Sequence, residues 1–485
     1  MSETLRKVLV VCGLVVLILL GAGIWVLHGN PTDRPLSATT GHDPQLVDPE
    51  PERVPTVGIA RAVGWQPGEA PVAAAGLVVN RFAEGLDHPR TMITLPNGDV
   101  IVAETNRPAT PGPGGITGLV MNWLFNRVGA GGPSPDTLLL LRDGNGDGVA
   151  EQRFVLRKGQ GLVSPSGLAW HDGTLYVANH DAVLAFPYKL GATALDGAPR
   201  KLMDLPGGGN HWMRNLELSP DAERLYVAVG SSSNIGENGM KAEEGRAAIW
   251  EIDLASGRRR PFAGGLRNPN GMDWNPATGE LWTVVNERDM LGGDLVPDYL
   301  TNVPVGVQYG WPWFYWKDKP DDRVKEPMPL YLNEYVRKPE FALGAHVAAL
   351  GLRFAAAGNR LGVHFGNGAF IARHGSWNRK PLSGYDVVFV TFDANGNPRG
   401  LPVPVLSGFL TPNGDAHGRP TWLAFDRTGA LLVSDDTAGI IWRAIAPAAK
   451  PIAGVMAVET GHMPPQVQLN SDPNASFRPD PPDQQ

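Results

Sequence analysis

One pattern recurs six times between residues 76 and 449, and it restricts the chain to a small set of folds. Each copy has a polar loop with Gly or Pro, an apolar strand, a tight turn and a second strand, as in GLDHPRTMITLPNGDVIVAET and GRPTWLAFDRTGALLVSDD. Turns such as PNGD, HDG and RTG between alternating strands are typical of β-hairpins. No amphipathic helix of convincing length lies between the copies, so the repeats must bury their apolar faces against one another.

Six units without helices predict an all-β fold, a six-bladed β-propeller, because radial repetition shields the edges of the sheets. A β-sandwich is an alternative, whereas the repeats of a β-helix are much shorter than these units. In a propeller, the loops that open the units gather at one end of the central channel. This placement would bring together residues from corresponding loops of different units. They are His211, Arg267, Asn268 and Arg419.

The N-terminus predicts a membrane anchor. Residues 8–27 form an uninterrupted apolar run without charge, long enough to span the roughly 30 Å hydrocarbon core of a bilayer. Arg6 and Lys7 precede the run and orient the N-terminus toward the cytoplasm. A cleaved signal peptide is the alternative, but its apolar region would be shorter and would end in a small-residue cleavage motif. We expect a single-pass inner-membrane protein whose folded part lies in the periplasm.

The remaining boundaries follow from composition. Residues rich in Pro, Asp and Thr precede the repeats and a Pro-rich stretch follows them, and neither composition favours packing into a core. The predicted organisation is a cytoplasmic N-terminus over residues 1–7, a transmembrane anchor over 8–27, a flexible linker over 28–75, the propeller over 76–449 and a disordered tail over 450–485.

Charge and cysteine content exclude some functions. The net charge of −7 indicates no basic surface for nucleic acid, so we expect no nucleic-acid partner. Cys12 is the only cysteine, which excludes an intrachain disulfide and a cluster of thiolate metal ligands.

One acidic turn has the spacing of a calcium-binding loop. Asp143, Asn145 and Asp147 alternate as in such loops, but Phe154 stands at the twelfth position, where an EF-hand needs a carboxylate. We interpret the segment as a hairpin turn, with a small structural calcium site as the alternative.

A resemblance to a known family is carried by four segments: NHWMRNLELSPDAERLYVAVG, GLRNPNGMDWNPATGELW, NERDMLGGDL with VQYGWPW, and RPTWLAFDRTGALLVSDD. In order and spacing they resemble the soluble quinoprotein glucose/sorbosone dehydrogenases, and the sorbosone-type branch is the most similar. The resemblance covers the predicted propeller. It implies a six-bladed propeller that binds pyrroloquinoline quinone (PQQ) and Ca²⁺, oxidises a sugar or sugar aldehyde, and passes electrons to a quinone or cytochrome acceptor.

The resemblance also implies the catalytic residues. His211 stands where the family has its general base, and a neutral imidazole suits the removal of a proton from an anomeric hydroxyl near neutral pH. Arg267 would stabilise the negative charge that develops on the quinone oxygen. Asp294 would orient and tune His211, with a turn-capping role as the alternative.

Further positions are implied as cofactor and metal ligands. The cofactor-binding positions are Arg267, Asn268, Asn234 and Arg419, with Arg373 or His374 in place of a family lysine. The metal positions are Glu287, Asp289 and Met290. The last two replace a Gly-Pro pair whose backbone carbonyls hold calcium in the family. Because carbonyl ligation does not depend on the side chain, calcium remains an expectation.

Two other functions are compatible with a propeller, since one fold hosts many functions. A calcium-dependent lactonase or hydrolase would need a ring of acidic and amide ligands around the channel and would have less need of Arg267 and Arg419. A non-catalytic propeller would only bind a partner or a glycan. The two arginines favour the PQQ-dependent dehydrogenase, because its cofactor carries several negative charges.

Overall fold

The computed structural model describes residues 28–108 and 126–458, together with Trp123 and isolated positions among residues 3–23. The strands, numbered in chain order, are β1 Thr40–Gly41, β2 Val72–Ala73, β3 Val78–Glu84, β4 Pro89–Thr94, β5 Val100–Glu104, β6 Thr137–Arg142, β7 Gln152–Lys158, β8 Gly167–His171, β9 Thr174–Ala178, β10 Ala182–Pro187, β11 Arg200–Asp204, β12 Arg214–Leu218, β13 Arg224–Val229, β14 Ala248–Asp253, β15 Arg259–Gly264, β16 Pro269–Trp274, β17 Leu281–Val285, β18 Pro297–Asn302, β19 Phe314–Tyr315, β20 Lys319–Pro320, β21 Phe341–Ala345, β22 Ala349–Phe354, β23 Gly368–Arg373, β24 Asp386–Phe392, β25 Pro398–Ser407, β26 Pro420–Phe425, β27 Leu431–Asp435 and β28 Ile440–Ile445. Short helical turns lie at Leu36–Thr39, Met240–Glu243, Leu332–Tyr335 and Val363–Phe365.

The described residues form six blades around a central channel. The first strand of each blade is innermost and packs against the first strands of both neighbouring blades, which closes a ring in the order β4, β8, β12, β16, β22 and β26. Within a blade, neighbouring strands are antiparallel. The blades, 1 to 6, are β4–β7, β8–β11, β12–β15, β16–β18 with β21, β22–β25, and β26–β28 with β3. The predicted all-β six-bladed propeller is confirmed.

The ring is closed by a strand from the N-terminal side of the propeller. β3 is the outermost strand of blade 6 and pairs antiparallel with β28, from Glu84 opposite Ile440 to Val78 opposite Ile445. Phe82 of β3 is buried in the core between blades 6 and 1. One blade therefore contains both ends of the repeat region, and this pairing holds the first and last blades together.

The hydrophobic core of the described residues is divided into six clusters, one between each pair of neighbouring blades. β5 illustrates how the sequence builds them. Val100 and Val102 face the cluster shared with blade 6, whereas Ile101 and Ala103 face the cluster shared with blade 2. Successive residues of a strand point to opposite faces. A strand that is apolar at every position therefore suits a sheet covered on both faces.

Residues 28–75, which their composition predicts to be a flexible linker, lie against the propeller. β1 adds an outer strand to blade 4 by pairing with β21, and β2 adds one to blade 5 by pairing with β25. Thr39 and Thr56 of this segment are fully buried. A Pro- and Thr-rich composition is unsuited to a core, but it does not prevent backbone pairing along an open sheet edge. That pairing orders the segment.

The predicted membrane anchor over residues 8–27 falls mostly outside the described residues. In the described part of the chain, no helix is long and apolar enough to cross a bilayer. Of the predicted tail, residues 450–458 are described, and residues 459–485 lie outside the description. The backbone N–H of Val458 donates to the Ala277 carbonyl of blade 4.

Candidate active site

Two sets of loops meet at one end of the channel. Because the strands of a blade alternate in direction, the loop before the first strand and the loop between the second and third strands lie at the same end. Every residue that the family resemblance implies for catalysis, cofactor binding or metal binding lies in or directly beside one of these loops. We name this end the channel mouth.

His211 precedes β12 closely, and two glycines permit its position. Gly209 has a φ of 84°, and a Cβ there would lie 2.7 Å from Ser232 Cα. A Cβ on Gly230 would lie 2.6 Å from His211 Cβ and closer still to Asn268 Oδ1. A larger residue at either position would push the histidine loop away from the segment that follows β13.

The hydrogen bonds of His211 define its tautomer. Its Nδ1 lies 2.9 Å from the Ser231 carbonyl oxygen and 3.0 Å from Ser231 Oγ, and that hydroxyl donates to the Ser233 carbonyl. Because a carbonyl only accepts, we assign the proton to Nδ1 and the lone pair to Nε2. Among the described residues, no hydrogen bond reaches Nε2. This nitrogen is therefore available to a substrate.

His211 is uncharged at neutral pH. Burial lowers its pKa well below the ordinary value of 6.5, and the positive charges of Arg267, Arg214 and Arg246 lower it further, against the opposing hydrogen bond to the Ser231 carbonyl. Protonation would place a fourth positive charge in a partly buried site beside three guanidinium groups. A neutral imidazole with a lone pair on Nε2 can accept a proton.

Arg267 joins the loops of blades 3 and 4. Its Nε donates to the Asn234 carbonyl at 3.1 Å and its Nη1 to the Glu287 carbonyl at 2.6 Å. Its Nη2 donates to Asn234 Oδ1 at 2.8 Å and pairs with Asp289 Oδ2 at 2.9 Å, and Nη1 also reaches the Asn286 carbonyl at 3.4 Å. The five N–H groups of the guanidinium are thus engaged with the protein. Arg267 can act on a ligand through its charge.

Asparagine amides connect blades 4 and 5 beside Arg267. Asn268 Nδ2 donates to Asn286 Oδ1 at 3.2 Å, and Asn270 Nδ2 donates to the same oxygen at 3.3 Å. Asn286 Nδ2 in turn donates to the Ala349 carbonyl at 2.7 Å. Asn268 is predicted from the sequence as a site residue, whereas Asn270 and Asn286 are not. The signal that could have identified them is their place inside the segments that carry the family resemblance: Asn270 in GLRNPNGMDWNPATGELW and Asn286 in NERDMLGGDL.

In the loop after β17, the backbone carbonyls expected to bind calcium already accept hydrogen bonds. The carbonyls of Asp289 and Met290 both accept from Arg323 Nη1, each at 2.9 Å. Glu287 Oε2 accepts from the backbone N–H and from Nε of Arg288. One guanidinium nitrogen therefore occupies the point at which the two carbonyls converge. These residues do not fit the calcium ion that the family resemblance implies.

Asp294 does not meet His211 in the structure. Its Oδ1 accepts from Arg379 Nη2 at 3.0 Å, and its Oδ2 accepts from the hydroxyl of Thr32 in the N-terminal segment. The buried carboxylate is therefore paired with a buried guanidinium, which compensates its charge. The expectation that Asp294 orients His211 therefore needs correction, because the orienting group in the structure is the Ser231 carbonyl.

A second cluster of polar and charged side chains at the channel mouth joins blades 5, 6 and 1. His374 Nε2 lies 3.0 Å from both carboxylate oxygens of Asp436, and Arg90 pairs with the same carboxylate. Arg419 donates to the carbonyls of His374 and Gly375. Burial and the charge of Arg419 lower the pKa of His374 to about 4, although Asp436 opposes the shift. His374 and Arg419, both predicted cofactor ligands, are thus neighbours.

Arg373 is engaged within its own blade. Its Nε and Nη2 form a two-pronged ion pair with Asp386, and its Nη1 donates to the Leu343 carbonyl. Residues 373 and 374 point to opposite sides at the end of β23. Of the two candidates for replacing the family lysine, the structure brings His374 to the mouth and leaves Arg373 in a structural pair.

Two further arginines, which were not predicted as site residues, have unsatisfied donors. Nε of Arg90, and Nε and Nη1 of Arg246, are buried without a hydrogen-bond partner among the described residues. Unpaired buried donors are costly, and the carboxylates of a ligand would satisfy them. These donors fit PQQ. Arg90 had a sequence signal, because it follows Pro89 in GLDHPR at the start of the first repeated unit.

The Asp143 loop lies at the opposite end of the propeller. Residues 143–151 join the antiparallel strands β6 and β7, so the predicted hairpin is confirmed. Carboxylate oxygens of Asp143, Asp147 and Glu151 lie within 4.8 Å of one another and accept backbone N–H groups of the turn. In the described residues this is the sole grouping of three His, Cys, Asp or Glu ligands. The described mouth therefore lacks such a ligand group.

The sequence also matches a defined protein family. A family profile described as TrAA12-like matches residues 138–302 and 331–446, more than half of the 485 residues. The chain belongs to the TrAA12-like family. The matched ranges of this TrAA12-like chain contain His211, Arg267 and Arg419. The gap between the two matched ranges lies in residues 303–340, the segment between β18 and β21, which we call the insertion.

Two relatives of the TrAA12-like chain are named for the same cofactor. The pyrroloquinoline quinone-dependent sugar dehydrogenase of Hypocrea jecorina is 24% identical over 425 residues, which cover 77% of this chain and 89% of that protein. The pyrroloquinoline quinone-dependent pyranose dehydrogenase of Coprinopsis cinerea is 27% identical over 304 residues, which cover 50% of this chain and 41% of that protein. These names agree with the family resemblance in the sequence.

Solved structures support the fold. A Trichoderma reesei protein of carbohydrate-active enzyme family AA12 superposes with a TM-score of 0.61 at 22% identity, covering 77% of this chain and 97% of that one. The PQQ domain of the Coprinopsis cinerea pyranose dehydrogenase superposes with a TM-score of 0.60 at 22% identity, covering 80% of this chain and 100% of that one.

Proposed function

We propose that this chain is a PQQ-dependent dehydrogenase that oxidises a sugar or sugar aldehyde, of the aldose or sorbosone type, at the channel mouth. The observation that carries the proposal is His211, a neutral imidazole whose Nδ1 is bonded to the Ser231 carbonyl and whose Nε2 keeps its lone pair. The names of the Hypocrea and Coprinopsis relatives support the cofactor and the substrate class.

His211 acts as the general base in this proposal. Its Nε2 accepts the proton of the anomeric hydroxyl, while the Ser231 carbonyl holds Nδ1–H and stabilises the imidazolium that forms. Loss of this proton prepares the anomeric carbon to release a hydride, and bound PQQ supplies the two-electron acceptor. Because the N–H groups of Arg267 are engaged with the protein, Arg267 stabilises developing negative charge through its electrostatic field.

In this proposal, arginines from blades 1, 3 and 6 hold the cofactor, with the neutral His374 beside two of them. Arg90 and Arg246 have buried donors without partners in the described part of the chain, and these suit carboxylates. Arg419 and His374 lie beside Arg90, around Asp436. Calcium is left out of this proposal for the loop after β17, because Arg323 occupies its carbonyls.

No observation favours the alternative functions. A lactonase needs metal-binding carboxylates at the channel, and the described mouth has no group of three His, Cys, Asp or Glu side chains placed to share a metal ion. A binding module gives no reason for an uncharged histidine among three arginines. We propose a quinone or a cytochrome as the electron acceptor.

We also propose that residues 8–27 anchor the protein in the inner membrane as a single span, with the propeller in the periplasm. The uncharged apolar run and the preceding Arg6 and Lys7 support this orientation. Fractionation of cells that express the full chain, followed by protease treatment of spheroplasts, tests it. Recovery in the soluble fraction, or protection of the propeller from protease, would contradict it.

The proposed activity is tested with the purified protein and PQQ. The visible absorbance of PQQ is titrated to measure binding, and dye reduction is then assayed with several aldoses and with sorbosone. We expect saturable binding followed by sugar-dependent dye reduction. Absence of both, with the protein folded, would overturn the proposal.

The pKa of His211 sets the pH dependence of the reaction. Since the neutral form is the base and the pKa is lowered, kcat/KM should stay constant as the pH falls through 6.5 and decline only below that value. Arg246→Gln removes one of the positive charges that lower this pKa, so the acid limb should move to higher pH. A pH profile of kcat/KM for both proteins measures the shift. An acid limb above pH 6.5 in the unmodified protein would contradict the assignment.

A further inference from the structure

The loop after β17 contains a cation that belongs to the protein itself. Arg323 Nη1 donates to the carbonyls of Asp289 and Met290, each at 2.9 Å. The two carbonyls therefore converge on one positively charged nitrogen, as they would on a metal ion. Met290 has a positive φ of 68°, a backbone conformation that is uncommon for a residue other than glycine.

Arg323 is held firmly in this position. Its Nε and Nη2 form a two-pronged ion pair with Asp321, at 2.8 and 2.7 Å. Asp321 is itself buried and also lies 3.4 Å from Arg288 Nη1, whose guanidinium is fully buried. A planar guanidinium bound on both edges has little freedom to leave the carbonyls.

Most of the carboxylate oxygens of the loop are engaged too. Asp289 Oδ2 pairs with Arg267 and Asp289 Oδ1 accepts from Asn378, while Glu287 Oε2 accepts from Arg288. A calcium ion needs 6–8 oxygens in its shell. A divalent ion would here have to displace Arg323 and then lie close to Arg267, against like-charge repulsion.

The residue that provides this cation lies outside the family match. Arg323 is in the insertion between β18 and β21, in the gap between the matched ranges 138–302 and 331–446. The insertion packs against the mouth, since Trp311 Nε1 donates to the Asn234 carbonyl at 3.0 Å. The same Asn234 carbonyl accepts from Arg267. The insertion therefore contacts the candidate active site through the Asn234 carbonyl, to which Arg267 also donates.

We propose that the Arg323 guanidinium takes the place of a divalent cation at this loop, so that the protein binds PQQ without calcium. Arg323 is a positioning residue, because it acts by fixing the Asp289 carbonyl segment that holds Arg267 and Asn234. The inference rests on the proposed function, since it concerns how PQQ is bound.

The test measures PQQ affinity by absorbance titration in EGTA and in CaCl₂, for the unmodified protein, Arg323→Gln and Arg323→Lys. The unmodified protein should bind equally in both buffers. Arg323→Gln should lose roughly tenfold or more in EGTA, the usual effect of losing charge-assisted hydrogen bonds, and calcium should restore the affinity because the carbonyls become free. Arg323→Lys, which keeps a point charge, should bind in EGTA more tightly than the glutamine variant.

A matched control is Arg153→Gln. Arg153 also donates to two backbone carbonyls, those of Glu84 and Gly85, but it lies on the outer strand of blade 1, so its loss should leave PQQ affinity unchanged in both buffers. Thermal unfolding verifies that each variant is folded.

The outcomes separate the two proposals. If the unmodified protein binds PQQ only with calcium, the inference is overturned and the proposed function stands. If it binds PQQ in neither buffer, both are overturned. If Arg323→Gln binds normally in EGTA, or loses affinity that calcium does not restore, Arg323 does not replace a cation. If that variant does not fold, the calcium independence of the unmodified protein and the behaviour of Arg323→Lys still decide the question.

Discussion

Replacement of His211 by asparagine is expected to reduce kcat by about 10²–10⁴-fold, the usual contribution of a positioned general base. Asparagine is the informative substitution because its Nδ2 can replace histidine Nδ1 as donor to the Ser231 carbonyl, 2.9 Å away. The variant therefore keeps the hydrogen bond that positions the loop and lacks only the lone pair of Nε2. PQQ affinity should change little, since the cationic donors of Arg90 and Arg246 remain.

His180→Asn is the matched control for this prediction. His180 also directs its Nδ1 at a backbone carbonyl, that of Val163 at 3.4 Å, and it lies between the second and third strands of blade 2. Its substitution should leave kcat unchanged. Single-turnover dye reduction and PQQ titration measure both variants. Undiminished turnover in His211→Asn would show that another group accepts the proton.

The second large effect is expected for Arg267→Ala, which should lower the free energy of unfolding by about 3–5 kcal/mol. Arg267 is 4% exposed and holds the Asn234 and Glu287 segments together. Its loss leaves the Asp289 carboxylate without its guanidinium partner and the Glu287 carbonyl without its donor. PQQ binding should weaken as well, because Arg267 no longer holds the loops of blades 3 and 4 together. Urea denaturation and PQQ titration measure the two effects.

A double-mutant cycle with Asp289→Asn separates the pair from its surroundings. Much of the cost of Arg267→Ala comes from a partly buried carboxylate left unpaired, so neutralising Asp289 should recover part of it. Arg399→Ala is the control, because Arg399 pairs with Asp393 on an exposed surface and such pairs contribute about 1 kcal/mol or less. Additive effects in the cycle would argue against a coupled pair.

The positions of the loops could be predicted from the sequence because hairpin periodicity is local. Alternation in β5 places Val100 and Ile101 in different cores, and the turn residues define where each strand ends. Once six units close into a ring, His211, Arg267 and Arg419 must lie at one end of the channel. The candidate site residues and the loops that bear them could therefore be predicted without knowledge of how the side chains pack.

The partners of these residues could not be predicted in the same way. Asp294 has the sequence position of a residue that orients His211, but its carboxylate binds Arg379 and Thr32. Arg373 and His374 are adjacent, yet one pairs with Asp386 and the other with Asp436. Each buried charge is compensated by the counter-charge that packing brings near, and that group comes from a distant part of the chain.

The N-terminal segment, residues 28–75, is another case in which the sequence alone could not predict the contacts. Its composition indicates a linker, because it has too few apolar residues to form a core. In the structure, β1 and β2 pair with open edges of blades 4 and 5, and backbone pairing needs no particular side chain. An open edge exists only after the blades have assembled, so composition could not reveal it.

The sequence by itself determined the six repeated units, the β-propeller they form and the loops that bear the candidate base and arginines, because periodicity and turn chemistry act between near neighbours. Only the tertiary structure decided which donor meets which acceptor: Ser231 at His211, Asp289 at Arg267 and Arg323 at the carbonyls expected to bind calcium. Charge compensation acts through space, and the insertion that bears Arg323 meets the loop after β17 only when blade 4 is folded.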